Sequence, residues 1–277
     1  MEIVSETKCF GGVQGVYRHA SKSCCCDMTF GLFLPEVCKG SATPVVWYLS
    51  GLTCTHENAM TKSMAQYYAN LHRVAVVFPD TSPRGSSVPD DESYDLGMGA
   101  GFYVDATEEP WNKNYRMREY IETELPEFVF SNFPLSPDMQ GICGHSMGGH
   151  GALTIAMANP KRFCSVSAFA PIANPTKSDW GRKQFRAYLG ENESNWQEFD
   201  STILMKEKGF PGPVLVDQGT EDPFYDLLKP ESLLQAMVET RQNCSFHMRD
   251  GFDHSYFFVM SFIADHIEFH RRAAVNS

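Results

Sequence analysis

The chain has no apolar run near the ~20 residues needed to cross a bilayer. Its longest, such as Val74–Phe78, fall far short, which excludes a helical membrane span. Its opening, Met1-Glu2-Ile3-Val4-Ser5, has no basic stretch leading into an apolar one. No signal peptide is therefore visible, and a cytoplasmic protein is expected. There is no repeat at a period of roughly 20–50 residues, no low-complexity tract and no linker-like shift in composition. An excess of basic residues is missing too. The formal net charge of −11 repels nucleic acid and anionic head groups over the surface as a whole, so neither is an expected partner. A small anionic substrate stays allowed, because a few local lysines or arginines can reverse the potential inside one cleft. Spaced cysteine pairs are absent as well. The nine cysteines are an odd count and include the continuous run Cys24-Cys25-Cys26. Neighbours on a strand point to opposite faces, which suits free thiols better than a disulfide framework or a zinc site.

What is present is a globular composition, with 43% hydrophobic and 21% charged residues, enough to bury a large core. A length of 277 residues fits one α/β domain, since such folds run to ~200–250 residues or more. A single domain over 1–277 is the expectation. Short apolar runs at Met28–Leu34, Val45–Leu49, Val74–Phe78, Gln140–Cys143, Cys164–Phe169, Val214–Gln218 and Cys244–Met248 read as strands. Helical patterns fall between several of them, at roughly Tyr115–Phe130, Gly149–Ala158, Pro230–Arg241 and Ser255–Arg271. This alternation predicts an α/β fold, a mostly parallel central sheet with helices on both faces. Function in such sheets sits beyond the carboxyl ends of the strands.

Just past one of those ends lies Gly144-His145-Ser146-Met147-Gly148, between the strand Gln140–Cys143 and a helix. G-x-S-x-G in that setting is the nucleophile elbow of the α/β-hydrolase fold. The serine occupies a strained turn that pushes its hydroxyl outward, and the flanking backbone comes too close for side chains at Gly144 and Gly148. The helix that follows aims its positive dipole end, and the Met147 N–H, at a developing oxyanion. Without the strand before and the helix after, the pentapeptide would carry little weight.

A serine nucleophile needs a base, and in this fold the order is Ser, then Asp or Glu, then His. His247 lies inside a strand pattern, and His266 and His270 lie in the last amphipathic helix, positions of packing or surface residues. His254 follows Gly251-Phe252-Asp253 in a loop after a strand, and is the expected base. Among the acids, Asp217 is within a strand, Asp226 lies further along its loop, and Asp250 and Asp253 flank the histidine. Asp222, in the loop after Val214–Gln218, lies at the same sheet edge as Ser146 and His254. It is the expected orienter of the imidazole. The second oxyanion donor should come from Ser50-Gly51-Leu52-Thr53-Cys54, and the Leu52 N–H is the choice.

Cys54 and His56 could form a nucleophilic pair, but Ser146 has the better-defined turn, so Cys54 is expected as a partly buried thiol beside the site. Gly97-Met98-Gly99-Ala100-Gly101 lacks the Lys-Ser/Thr of a phosphate loop and reads as packing next to the site. His145 and His150 do not share one helix face, and no metal or cofactor is expected. Trp180, Phe185 and Tyr188 follow a loop where substrate-covering segments occur, and either line a pocket or pack a cap.

The chain resembles the S-formylglutathione hydrolases, the esterase D family, in segments spread over most of its length. These are Ser50–Thr55, Asp80–Gly85, Gly99–Thr107, Gly144–Leu153, Ser167–Pro175, Asp217–Phe224 and Asp253–Phe257. The segment Ala173–Trp180 departs from the family's pattern. The resemblance implies hydrolysis of a glutathione thioester to glutathione and formate in formaldehyde detoxification, side activity on short-chain esters and a homodimer. It implies Ser146, Asp222 and His254 as the triad and Leu52 and Met147 as oxyanion donors; Trp180 and Cys54, from their own places in the chain, are the expected substrate-binding residues. Alternatives are a general short-chain carboxylesterase, an acyltransferase, or a non-catalytic binding protein on the same fold.

Overall fold

A computed structural model describes residues 1–36 and 43–276. Among the described residues, nine strands form one sheet: β1 (Glu2–Cys9), β2 (Gly12–Ser21), β3 (Cys26–Leu34), β4 (Thr43–Leu49), β5 (Ala75–Pro79), β6 (Leu135–His145), β7 (Phe163–Phe169), β8 (Val214–Gly219) and β9 (Cys244–Arg249). Their spatial order is β1-β2-β3-β5-β4-β6-β7-β8-β9. Pairing is antiparallel from β1 through β3 to β5 and parallel from β5 to β9. Every strand read from the sequence is present, and the sheet is mostly parallel with helices against it, the α/β-hydrolase fold.

The hairpin β1–β2 was not among the expected strands. β1 is solvent-exposed along almost its whole length, so it carries none of the apolar alternation that marks a half-buried strand. Phe10 and Gly11 turn the hairpin, both at positive φ (45° and 88°), the backbone that two-residue hairpin turns require. Cys24 and Cys25 lie in the next turn rather than on a strand, and only Cys26 begins β3. Every described cysteine is a free thiol; Cys38 lies outside the described residues.

Side-chain parity sorts the helices onto the two faces. On β6, Gly141 and Cys143 face the C-terminal helix Tyr256–Asn276, through His270 and His266. Gly144 faces the helix Met147–Ala158. Successive strand residues point to opposite sides, so these two helices cover opposite faces. His266 and His270 are core residues. His270 Nδ1 and Nε2 lie 2.7 and 2.8 Å from the hydroxyls of Ser165 and Ser167, and His266 Nδ1 lies 2.9 Å from Ser167. Burial pushes the His270 imidazole down to about 3, so it serves as a neutral hydrogen-bonding plug.

The helix expected over Tyr115–Phe130 is broken into a turn at Met117–Glu119, a wide π-type turn at Tyr120–Glu124 and a helix at Leu125–Asn132. Pro126 has no N–H to give the carbonyl four residues back, that of Glu122. The Arg162 guanidinium donates to that carbonyl instead. No helix of the described residues is long and apolar enough to cross a membrane.

Candidate active site

Parallel strands put their carboxyl ends on one edge. The loops after β4, β6, β8 and β9 therefore bring Ser50–Cys54, Ser146, Asp222 and His254 together. β4 and β6 are neighbours with Leu49 opposite Gly144, which seats Gly51 against the elbow. A Cβ at Gly51 would lie 3.1 Å from the Cβ of Ser146.

At the elbow, Ser146 has φ 59° and ψ −119°, and the helix begins at Met147. Such backbone costs on the order of 1–3 kcal/mol and persists only where surrounding bonds enforce it. Here the Ser146 N–H donates to the Phe169 carbonyl at 2.9 Å, and the Ser146 carbonyl accepts from the N–H groups of His150 and Ile172. The two motif glycines permit the turn. A Cβ at Gly144 would sit 2.1 Å from the Gly148 carbonyl oxygen, and one at Gly148 would sit 2.0 Å from that of Leu49. Those atoms are backbone and cannot swing away. Gly148→Ala is expected to lower the midpoint of thermal unfolding by about 2–5 °C, since overpacking costs roughly 1–3 kcal/mol. A midpoint within a degree of the parent in calorimetry would contradict this close-packing account.

The loops after β8 and β9 are zipped together. Thr220 N–H donates to Arg249 O at 3.1 Å, Glu221 N–H to Phe252 O at 2.9 Å, and Gly251 N–H to the Thr220 hydroxyl at 2.9 Å. This brings Asp222 to His254, with Oδ2 2.6 Å from Nδ1. The His254 side chain is partly exposed and that of Asp222 wholly buried. The other Asp222 oxygen, Oδ1, accepts the Phe224 N–H at 2.8 Å, and Oδ2 also accepts from Gln218 Nε2 at 3.2 Å. One carboxylate thus makes the local Asp-Pro turn and holds the imidazole at once, leaving Nε2 as the ring nitrogen Asp222 does not engage.

The rejected acids and bases are occupied elsewhere. Asp217 is buried between His247, Arg249 and His266. Asp253 caps the turn into the C-terminal helix through Ser255.

These groups open into a cavity of about 320 Å³ lined by Gly51–Cys54, Tyr94, His145, Ser146, Trp180, Phe224 and His254–Tyr256. Leu52 and Cys54 are both in its wall. Among the described residues, neither the Leu52 nor the Met147 N–H has a hydrogen-bond partner, so both donors are free. Burial pushes the Cys54 thiol up and the His56 imidazole down, so neither takes the charge that a thiolate–imidazolium pair needs.

Gly97–Gly101 packs beside the site, as its composition suggested: Gly99 O accepts the Thr53 N–H at 2.9 Å, and a Cβ at Gly99 would lie 3.0 Å from Thr53 Cα. Trp180 lines the cavity, but Phe185 and Tyr188 do not. Phe185 packs against Phe102, His150 and Trp196, and Tyr188 stacks on Tyr115.

Several wall residues carried no sequence signal of their own. His145 was weighed only as a metal ligand, yet its ring lies 4.6 Å from that of His254. Burial first, and then the neighbouring His254, hold His145 well below the usual imidazole range, so a neutral ring abuts the candidate base. Phe224 packs edge-on to His254 at 5.1 Å. Phe224 and Tyr256 stand within two residues of Asp222 and His254, a proximity that could have pointed to them. Tyr94 had no such neighbour.

The Esterase family model matches residues 21–269. The S-formylglutathione hydrolase of Paracoccus denitrificans is 64% identical over 269 residues, covering 97% of this chain and 96% of that protein. The S-formylglutathione hydrolase of Rattus norvegicus is 46% identical, covering 97% of both chains. A solved S-formylglutathione hydrolase from Agrobacterium tumefaciens superposes with a TM-score of 0.97 at 44% identity, over 99% of this chain and all of that one. With full-length likeness in sequence and in backbone, this chain belongs to the S-formylglutathione hydrolase family of esterases.

Proposed function

We propose that the protein hydrolyses S-formylglutathione to glutathione and formate, with Ser146 as nucleophile, His254 as base and Asp222 as its orienter. The observation that carries this reading is the 2.6 Å contact between Asp222 and His254 Nδ1 at the wall of the cavity that holds Ser146. Asp222 favours the tautomer with the proton on Nδ1, so that Nε2 can accept the serine proton. The Ser146 hydroxyl attacks the formyl carbonyl, and the N–H groups of Leu52 and Met147 hold the oxyanion. Collapse of the tetrahedral intermediate expels the thiolate, which takes a proton from the His254 imidazolium and leaves as the thiol. Water activated by His254 then releases formate from the formyl-serine. A thiol of pKa near ~8.5 leaves more readily than an alkoxide, so deacylation is the slower half.

We also propose a single domain over 1–277, side activity on short-chain esters, and a cytoplasmic homodimer.

An acyl series tests the substrate reading. S-formylglutathione should exceed S-acetylglutathione in kcat/KM by roughly 10–200-fold, the discrimination that one added carbon gives in a close-fitting pocket. Slow turnover of both thioesters beside fast turnover of p-nitrophenyl acetate would instead identify a general carboxylesterase.

A further inference from the structure

An unbroken line of rings runs from solvent to the imidazole at the heart of the site. Tyr94, which is 57% exposed, accepts a hydrogen bond through its phenolic oxygen from Trp180 Nε1 at 3.0 Å. Trp180 meets Phe224 with ring centroids 4.9 Å apart, and Phe224 meets His254 at 5.1 Å. All four side chains line the one cavity. Trp180 is almost fully buried and has spent its only donor on Tyr94.

The segment bearing Tyr94 is held to the helix that bears Trp180, Asp179–Leu189. Asp95 Oδ1 pairs with Lys183 Nζ at 2.5 Å, and the Asp95 carbonyl accepts from Gln184. The Tyr188 hydroxyl accepts the Gly97 N–H and donates to the Ala100 carbonyl, each at 2.9 Å. Tyr94 is thus placed by the anchored residues that follow it, Asp95 and Gly97, rather than left on a loose loop.

A phenol both accepts and donates. The Tyr94 oxygen is engaged by the indole, and among the described residues its own O–H has no acceptor. It is a donor on the wall of the cavity that holds Ser146, at the solvent end of the ring line, within reach of a leaving group that runs from the acyl centre toward solvent along those rings. A glutathione thiol carries amide and carboxylate oxygens along that part of its chain, whereas a simple aryl or alkyl leaving group does not.

We propose that Tyr94 is a specificity-determining residue that donates its phenolic hydrogen bond to an amide or carboxylate oxygen of the peptide leaving group, and so favours glutathione thioesters over simple esters. This rests on the substrate reading above.

Tyr94→Phe keeps the ring and removes only the hydroxyl, and the position is exposed, so the fold should survive. The ratio of kcat/KM for S-formylglutathione to that for p-nitrophenyl acetate is expected to fall about three- to tenfold, the worth of one neutral hydrogen bond. The inhibition constant of S-methylglutathione, which binds without reacting, should rise by a similar factor. A ratio at the parent value, whether both substrates slow together or neither does, overturns the proposal, because Tyr94 then only steadies Trp180. Failure of the parent enzyme to turn over S-formylglutathione is a separate result. It removes the substrate reading and this proposal with it, whereas an unaltered ratio in an active thioesterase removes the role of Tyr94 alone.

Discussion

Ser146→Ala is expected to lower kcat for S-formylglutathione by about 10⁵–10⁶, because nucleophile, base and orienter act as a unit and losing the nucleophile removes nearly all that the unit contributes. The fold should be untouched. The bonds that enforce the turn are backbone bonds, from the Ser146 N–H to Phe169 and from His150 and Ile172 to the Ser146 carbonyl. Alanine keeps all of them. It also meets the same penalty at φ 59° as serine does, so the strain is neither relieved nor increased. The midpoint of thermal unfolding should stay within about 2 °C of the parent, as a surface-sized change in stability would give. Loss of activity with an unshifted melt assigns the effect to chemistry. A variant that kept more than about a hundredth of the parent rate would remove Ser146 from the nucleophile's role, since that is far above what binding and oxyanion donors alone sustain.

The elbow was legible because three constraints coincide there: a buried strand, two glycines forced by backbone closer than any Cβ allows, and a helix. His254 and Asp222 were legible by position, as each follows a strand whose carboxyl end lies on the same edge. The sequence could not show how they meet. That depends on the zipper between Thr220–Glu221 and Arg249–Phe252, which is made almost wholly of backbone groups and so leaves no residue signature. The exposed strand β1 was invisible for a related reason, since a strand outside the core has no burial to record in its pattern. The break at Tyr120–Glu124 needed Arg162, some forty residues away, to rescue a carbonyl stranded by Pro126. Local periodicity sees the proline but not the rescue. Of the aromatic wall, Trp180 was anticipated from its loop, while Tyr94 comes from a segment without periodicity and is defined only by the partner it meets in space.

Asp222→Asn is expected to lower kcat by about 10⁴, the loss that follows when the base is held in the wrong tautomer. The surroundings of Asp222 decide which way the new amide turns. Oδ1 accepts the Phe224 N–H at 2.8 Å, and a backbone donor cannot reverse. The asparagine oxygen must stay on that side. Its NH₂ group then occupies the place of Oδ2, 2.6 Å from His254 Nδ1. Gln218 Nε2 now faces a donor and loses that bond, while keeping its other one to the Gly219 carbonyl at 3.1 Å. The shorter backbone bond from Phe224 thus favours a donor aimed at Nδ1. The imidazole responds by accepting there and carrying its proton on Nε2, the nitrogen that must be empty to take the proton of Ser146. Packing is conserved and the one buried pairing lost is the weak 3.2 Å bond from Gln218, so the variant should fold and still bind substrate, with KM changed far less than kcat. Nitrogen chemical shifts of the His254 ring read the tautomer directly. A ring still protonated on Nδ1, or a kcat within tenfold of the parent, would show that Asp222 does not govern the base.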